Sequence, residues 1–315
     1  MKKQPLQYLI VGSGGVGGSL GAFMTEAGKD VTLIARGSHL AAMREKGLTM
    51  ETTKKGNYTV NPLKAMTMAE YEETGKRPDV IFLCVKGYSL EETIPFLQAV
   101  SASETVIIPL LNLYGTGAKL QKFFPKNIVT DGCVYIAAEI RKPGVIWQNG
   151  DIFRVVYGLR EEENDTCPVL GQVAKDLEES DVSAILSQNI RRDALRKFAY
   201  VSPMAACGVY FDCTAKEAQK EGKVRETFVA LMGEIGVLAQ AMGICFDVDI
   251  VAVNLKILDA LSPTASTSMQ RDIARGHVSE INGLIYEVVT MGREYGVPLP
   301  VYEKIAAWCR RKGLK

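Results

Sequence analysis

A glycine cluster set between a strand and a helix constrains this chain more than any other feature. Leu6-Gln7-Tyr8-Leu9-Ile10-Val11 reads as a buried strand and runs directly into Gly12-Ser13-Gly14-Gly15-Val16-Gly17, a G-x-G-x-x-G pattern. A helix-forming run from Leu20 to Ala27 follows, Gly28 ends it, and Val31-Thr32-Leu33-Ile34-Ala35 supplies a second apolar strand. In that setting the first glycine allows a tight turn, the second lets backbone approach a pyrophosphate, and the third lets helix and strand pack closely. A pyrophosphate would then sit on the helix N-terminus, where unpaired N–H groups and the helix dipole attract negative charge. A glycine-rich structural turn is the plainer alternative, and the intact flanking strands and helix count against it.

The end of the second strand bears on which dinucleotide is held. NAD sites commonly place an Asp or Glu there for the ribose 2′-hydroxyl. This chain has Arg36-Gly37-Ser38, and no carboxylate stands between Val31 and Leu40. A guanidinium fork suits a 2′-phosphate, which a carboxylate would repel. The expected cofactor is therefore NADPH, with Gly12, Ser13, Gly14, Gly15, Val16, Gly17 and Arg36 around it; the plainer reading of Arg36 is a solvated loop residue.

With 315 residues and 47% apolar composition, the chain can fill two domains. A formal charge of +1 gives no nucleic-acid groove or polybasic membrane face. No apolar run approaches the ~18 residues of a membrane span, and Met1-Lys2-Lys3 leads into a strand without a signal-peptide pattern. The seven cysteines are scattered and form no C-x-x-C pair, as expected of reduced thiols in a cytoplasmic protein. Two histidines, His39 and His277, supply neither a histidine metal site nor a histidine triad, so no metal is expected.

Strands and helices alternate through the first half: strands at 79–85, 105–111 and 127–136, helices at 40–46 and 90–100. This predicts an α/β fold, a Rossmann-type doubly wound parallel sheet. From about residue 140 the pattern becomes a hairpin-like extension (144–148 and 152–159), a charged turn at 161–165, a helix at 168–180 and a short edge strand at 182–186. Beyond Ile190 helical spacing dominates, at 224–242, 247–261 and a long stretch at 267–295. The expected division is a dinucleotide-binding domain over 1–190 and an all-helical domain over 191–315. The apolar helical half allows a homodimer, since buried and interface faces read alike in sequence.

Ligands of open α/β sheets bind beyond the carboxyl ends of the strands. Lys86 and Asn112 stand at such ends, where each is also readable as an ordinary loop residue. In the second half Lys197 lies in the apolar run Leu195-Arg196-Lys197-Phe198-Ala199-Tyr200. A lysine drawn into an apolar cleft has its pKa lowered and can donate a proton; a snorkelling surface lysine is the commoner fate. Ser268 and Glu280 are separated by twelve residues, a rotation of about 120° on an unbroken helix. They share one ligand only if the helix bends, and Gly276 is a place for that. Otherwise Ser268 caps a helix and Glu280 pairs with a surface charge such as Arg275.

Together these residues resemble the ketopantoate reductase (2-dehydropantoate 2-reductase) family from end to end. Gly12–Gly17 and Arg36 match its cofactor elements, Val85-Lys86 its lysine, Leu111-Asn112 its asparagine loop, and Pro143-Gly144 with Gly150 its next segment. Arg196-Lys197-Phe198 matches the catalytic helix. Ser268-Met269-Gln270 with Asp272, Arg275-Gly276 and Ser279-Glu280 match the last stretch. The resemblance implies a Rossmann domain plus a helical domain and NADPH-dependent reduction of ketopantoate to (R)-pantoate in pantothenate and coenzyme A biosynthesis. It further implies that Lys197 polarises and protonates the carbonyl oxygen, and that Glu280 binds the substrate. Ser268 would hold its carboxylate, Asn112 the substrate or ribose, and Lys86 would line the cofactor cleft.

The chain departs from the family pattern at several places. The histidine of P-G-x-V-x-H falls on Gln148, a tryptophan on Leu195, and two asparagines on Val201 and Ala205. The loop after Asn112 reads Leu113-Tyr114-Gly115, and about three residues are missing between Glu280 and Asn282-Gly283. Lost polar groups change substrate discrimination strongly. Another small branched 2-oxo acid therefore stays open as substrate, as does a non-catalytic NADP-binding sensor.

Overall fold

The apolar runs of the first half become strands because each is covered on both faces. The computed structural model describes residues 5–161 and 164–314. Met1-Lys2-Lys3 and the centre of the charged turn expected at 161–165 lie outside the described residues. The chain divides into one unit of residues 1–111 and 115–190 and another of residues 112–114 and 191–315.

In chain order the first unit contains β1 (Gln7–Val11), α1 (Gly15–Glu26), β2 (Asp30–Ile34), α2 (Gly37–Lys46), β3 (Leu48–Thr52), β4 (Gly56–Val60), β5 (Ala65–Met66), α3 (Met68–Glu73) and β6 (Val80–Leu83). It continues with α4 (Leu90–Val100), β7 (Val106–Pro109), α5 (Thr116–Gln121), β8 (Ile128–Val129), β9 (Asp131–Lys142), β10 (Val145–Gly158), α6 (Pro168–Glu179) and β11 (Ser183–Leu186). Six strands form the expected parallel sheet in the order β5-β2-β1-β6-β7-β8. The chain leaves β1 toward β2 on one side and returns to β6 on the other, so the order reverses at β1/β6, where such sheets bind ligands.

A second sheet, β11-β10-β3-β4 with β9 paired to β10, is an addition to the expected architecture. The segment expected as one strand at 127–136 splits at Thr130: β8 closes the parallel sheet, while β9 crosses into the second sheet. The two short strands expected at 144–148 and 152–159 are one irregular strand, β10, antiparallel to β9. The first turns of α1 pack through glycine: a Cβ on Gly15 would lie 2.3 Å from the Ala138 carbonyl oxygen of β9, and one on Gly18 2.2 Å from the Ile146 side chain of β10. The core around it includes Leu20, Phe23, Leu33, Ile146, Phe153 and Tyr157, all essentially inaccessible to water.

The second unit contains α7 (Ile190–Phe211), α8 (Ala215–Ala218), α9 (Lys223–Ala241), α10 (Ile250–Asp259), α11 (Ser268–Ala274), α12 (Glu287–Glu294) and α13 (Pro300–Arg311), with a π-helical turn over Asn282–Tyr286. The long helix expected at 267–295 is not continuous. Helix α11 ends at Ala274, Gly276 adopts φ +70, and irregular backbone leads to the π turn. The break falls at Gly276, the place where the sequence leaves a bend open, although apolar spacing continues on both sides of it. Among the described residues, no helix is long and apolar enough to cross a membrane, and no group of three or more His, Cys, Asp or Glu is placed to hold a metal.

Candidate active site

The glycine turn follows β1, Arg36 follows β2, and Lys86 follows β6, three neighbouring parallel strands. Gly12 has φ +99, and a Cβ there would lie 2.9 Å from the Cys84 backbone. A Cβ on Gly17 would lie 2.0 Å from the Gly12 carbonyl oxygen, so helix and strand meet only because that side chain is missing. Gly14 differs: nothing stands within 4 Å of a Cβ placed on it, and it occupies the N-cap of α1 without a capping side chain. No acidic residue lies in the first turn of α1. The N-terminal amides of α1 therefore present a positive end to open space, which fits a pyrophosphate.

Ser13 is buried, and its hydroxyl donates to the Ile34 carbonyl at 2.8 Å, tying the turn to the end of β2. Gly15 and Val16 form the first turn of α1, Val16 packing against the core. Arg36 is exposed and caps α2, whose first residue, Gly37, has φ +60. That guanidinium and the start of α2 suit an anion beside the glycine turn. His39 sits one turn into α2, where its Nδ1 accepts the Gly144 N–H at 3.0 Å; burial pushes the imidazole below its usual range. Pro143-Gly144 thus has a structural use, seating the β9–β10 turn on α2. Lys86 is half-buried just beyond β6. Gln148, which replaces the family histidine, is fully buried, with neither amide atom hydrogen-bonded in the protein.

The other site residues belong to the second unit. The segment Asn112–Tyr114 groups with the helices although it follows β7 in the chain. Lys197, half-buried on α7, donates from Nζ to Asn112 Oδ1 at 2.7 Å. Leu113 fills the space a side chain at Gly283 would need, and Tyr114 lies 6.2 Å from Phe198 between ring centroids. The loop therefore touches both the lysine helix and the π turn that follows Glu280. Glu280 is only 4% exposed, and Leu284 N–H donates to its carbonyl at 2.9 Å.

Ser268 is the first residue of α11; its neighbour Thr267 makes the cap, in a capping box with Gln270. Gln270 Nε2 also donates to the Cys213 carbonyl at 2.7 Å and occupies the space over Gly208. Ser268 therefore starts a helix that is tied, through Gln270, to the C-terminal end of α7. The structure joins Asn112 to Lys197 directly and both to the π turn through Leu113, while Ser268 is placed by other contacts.

Supporting residues outside the sequence-level candidates hold α7 in shape. Pro203 lies inside the helix and removes the N–H that would serve the Ala199 carbonyl. The buried Asn254 of α10 supplies the replacement, Nδ2 donating to Ala199 O at 3.2 Å. A proline within a helical run signals such a need, but not which residue meets it.

Both halves of the chain match family models: residues 8–162 the one described as ketopantoate reductase PanE/ApbA, and residues 189–313 its C-terminal counterpart. The chain is 26% identical over 303 residues to the uncharacterized oxidoreductase YkpB of Bacillus subtilis (strain 168), covering 96% of this chain and 97% of that protein. It is 24% identical over 313 residues to 2-dehydropantoate 2-reductase of Aquifex aeolicus (strain VF5), with 98% and 97% covered. Its fold also matches a solved ternary structure of D-mandelate dehydrogenase with NADH and anilino(oxo)acetate, at 23% identity, a TM-score of 0.87 and 98% of each chain.

Proposed function

The chain belongs to the ketopantoate reductase family, and on that premise we propose that it reduces ketopantoate to (R)-pantoate with NADPH. The observation that carries this reading is the Lys197 ammonium held at 2.7 Å by Asn112 Oδ1. NADPH, when bound, supplies the hydride. The N-terminal amides of α1 hold its pyrophosphate and Arg36 its 2′-phosphate, with Lys86 lining the same side. Lys197 donates a hydrogen bond to the substrate carbonyl oxygen, and its donor strengthens as that oxygen gains charge. It then gives up its proton, so that ketone, NADPH and one proton yield alcohol and NADP⁺. Asn112 orients the ammonium through one of its three protons and stands by substrate or ribose. Glu280 accepts a substrate hydroxyl, and Ser268 receives the carboxylate. In this reading residues 1–190 bind the cofactor and residues 191–315 bind substrate and a second copy of the chain; light scattering is expected to report twice the monomer mass, and the monomer mass would exclude the dimer.

A second reading, a branched 2-oxo acid lacking the hydroxyl, draws on Val201 and Ala205. A four-residue step on a helix turns only about 40°, so Val201 follows Lys197 on one side of α7 and offers methyl groups instead of donors.

The test is NADPH oxidation with a panel of 2-oxo acids, repeated with NADH. The first reading expects the highest kcat/KM with ketopantoate and NADPH, and the second with a hydroxyl-free branched acid. Lys197→Ala is expected to lower kcat by about 10²- to 10⁴-fold. Tight NADPH binding with no ketone reduced would leave a sensor, and near-normal turnover by Lys197→Ala would remove the proton donor.

A further inference from the structure

Ser202 lies on α7 five residues after Lys197 and is fully buried. Its Oγ is 2.6 Å from the Leu284 carbonyl oxygen and 2.6 Å from the Tyr302 hydroxyl. Leu284 is the middle residue of the π turn, four residues after Glu280. A serine hydroxyl has one proton and a carbonyl can only accept, so Ser202 donates to Leu284 and Tyr302 donates to Ser202. Tyr302 is fixed in turn: it opens α13, where the Glu234 carboxylate of α9 accepts the Val301 and Tyr302 N–H groups at 2.7 and 3.0 Å. Burial holds the Tyr302 phenol far above its ordinary range, keeping it a neutral donor.

These contacts close a ring. Lys197 bonds Asn112, Leu113 packs on Gly283, Gly283 adjoins Leu284, Leu284 bonds Ser202, and α7 leads back to Lys197. We propose that Ser202 is a positioning residue whose bridge to Leu284 sets the register between α7 and the π turn, and through it the relative placement of Lys197 and Glu280. The proposal rests on the roles given to those two residues above. It also gives the π turn a use: where the chain is shorter than its family pattern just after Glu280, a widened turn pinned from α7 re-aims the segment carrying that carboxylate. Such turns recur at functional sites.

The experiment compares Ser202→Ala with Leu258→Ala, a fully buried α10 residue outside the ring, as a control for lost stability. Ser202→Ala is expected to lower kcat by about ten- to hundred-fold, the scale of an ångström-level misplacement. KM for NADPH should stay within about two-fold, and the alkaline limb of the kcat–pH profile should move with the lysine. Leu258→Ala should lower Tm while holding kcat. Should Ser202→Ala not fold, Tyr302→Phe, which removes only the donor to Ser202, should show the smaller loss of kcat in the same direction. Unchanged kcat in the folded variant, or an equal loss in Leu258→Ala, overturns the proposal. A wild-type chain that reduces no 2-oxo acid counts against the functional reading instead. Amide hydrogen exchange then tests the bridge: Ser202→Ala should speed exchange over residues 281–289 and 112–114 but not over α10, and unchanged exchange there overturns it.

Discussion

The sequence pattern gives Gly14 the approach to a pyrophosphate and Gly17 the close packing of helix on strand, and a methyl group at each would meet opposite surroundings. Nothing stands within 4 Å of a Cβ on Gly14, and its φ of −72 suits alanine. Gly14→Ala is therefore expected to leave Tm unchanged or raise it slightly, by the ~0.4–1 kcal/mol gained when the unfolded chain loses freedom. It should weaken NADPH, because the new methyl occupies the face assigned to the pyrophosphate. Gly17→Ala places Cβ 2.0 Å from Gly12 O and 2.8 Å from Cys84 Cβ, an overpacking that costs about 1–3 kcal/mol. Calorimetry and NADPH titration separate the two, and an unaltered Kd in Gly14→Ala would refute the pyrophosphate assignment. The pattern foretells this division between the glycines; the packing shows how little room Gly17 has and how much Gly14 leaves.

Among the elements, α7 makes the sharpest prediction, because a proline sits inside the helix that carries Lys197. Asn254→Ala leaves the Ala199 carbonyl without its donor, a loss of about 1–3 kcal/mol for a buried polar group. Pro203→Ala restores a backbone N–H to that carbonyl, so Asn254→Ala should cost clearly less in the Pro203→Ala background. Urea unfolding of the four proteins in a double-mutant cycle measures this, and additive losses would deny the compensation. Elements of this kind mark where the sequence becomes hard to read. The parallel sheet was legible because buried strands are continuous apolar runs and the glycine turn fixes where one begins. The residues beyond β1, β2 and β6 were legible for the same reason. The second sheet was not, since its two local hairpins, β3–β4 and β9–β10, are united by the pairing of β3 with β10, which sets Thr49 beside the distant Val145. Nor was the π turn, because the apolar spacing of a helix continues across Gly276, and only Ser202 and Leu113 reveal how the chain resumes. Lys197 could be singled out by residue type and neighbours, whereas its partner Asn112, 85 positions away, needed the tertiary fold to meet it.

On the scale of the whole molecule, 37 basic and 36 acidic residues nearly balance, so sensitivity to mild acid depends on particular carboxylates and not on overall repulsion. Asp176 is the clearest of these. It lies buried on α6, accepting from Tyr8 of β1 at 2.5 Å, from Lys29 at 2.8 Å and from Gln172 at 3.2 Å. Burial alone would raise its carboxyl; the Lys29 ammonium, the Tyr8 phenol and the Gln172 amide outweigh it and hold the group below the ordinary carboxylate range. A pKa lower in the folded than in the unfolded chain means the unfolded state binds the proton more readily. The stabilisation is thus fully present above the unfolded value, about 3.9, and is lost as pH falls through the folded one. Asp176→Asn removes a charged acceptor, at a cost of about 1.5–3 kcal/mol near neutrality. Its deficit against wild type should shrink as pH drops below about 4, because acid removes the same charge from the wild type. Tyr8→Phe deletes one donor and leaves Lys29 in place. The Asp176 carboxyl then titrates higher, and the acid loss should begin at a higher pH. Urea unfolding of the three proteins from about pH 7 down to about pH 3 reads all of this. A deficit in Asp176→Asn that stays constant across the range would show that its carboxylate is not what fastens α6 to β1.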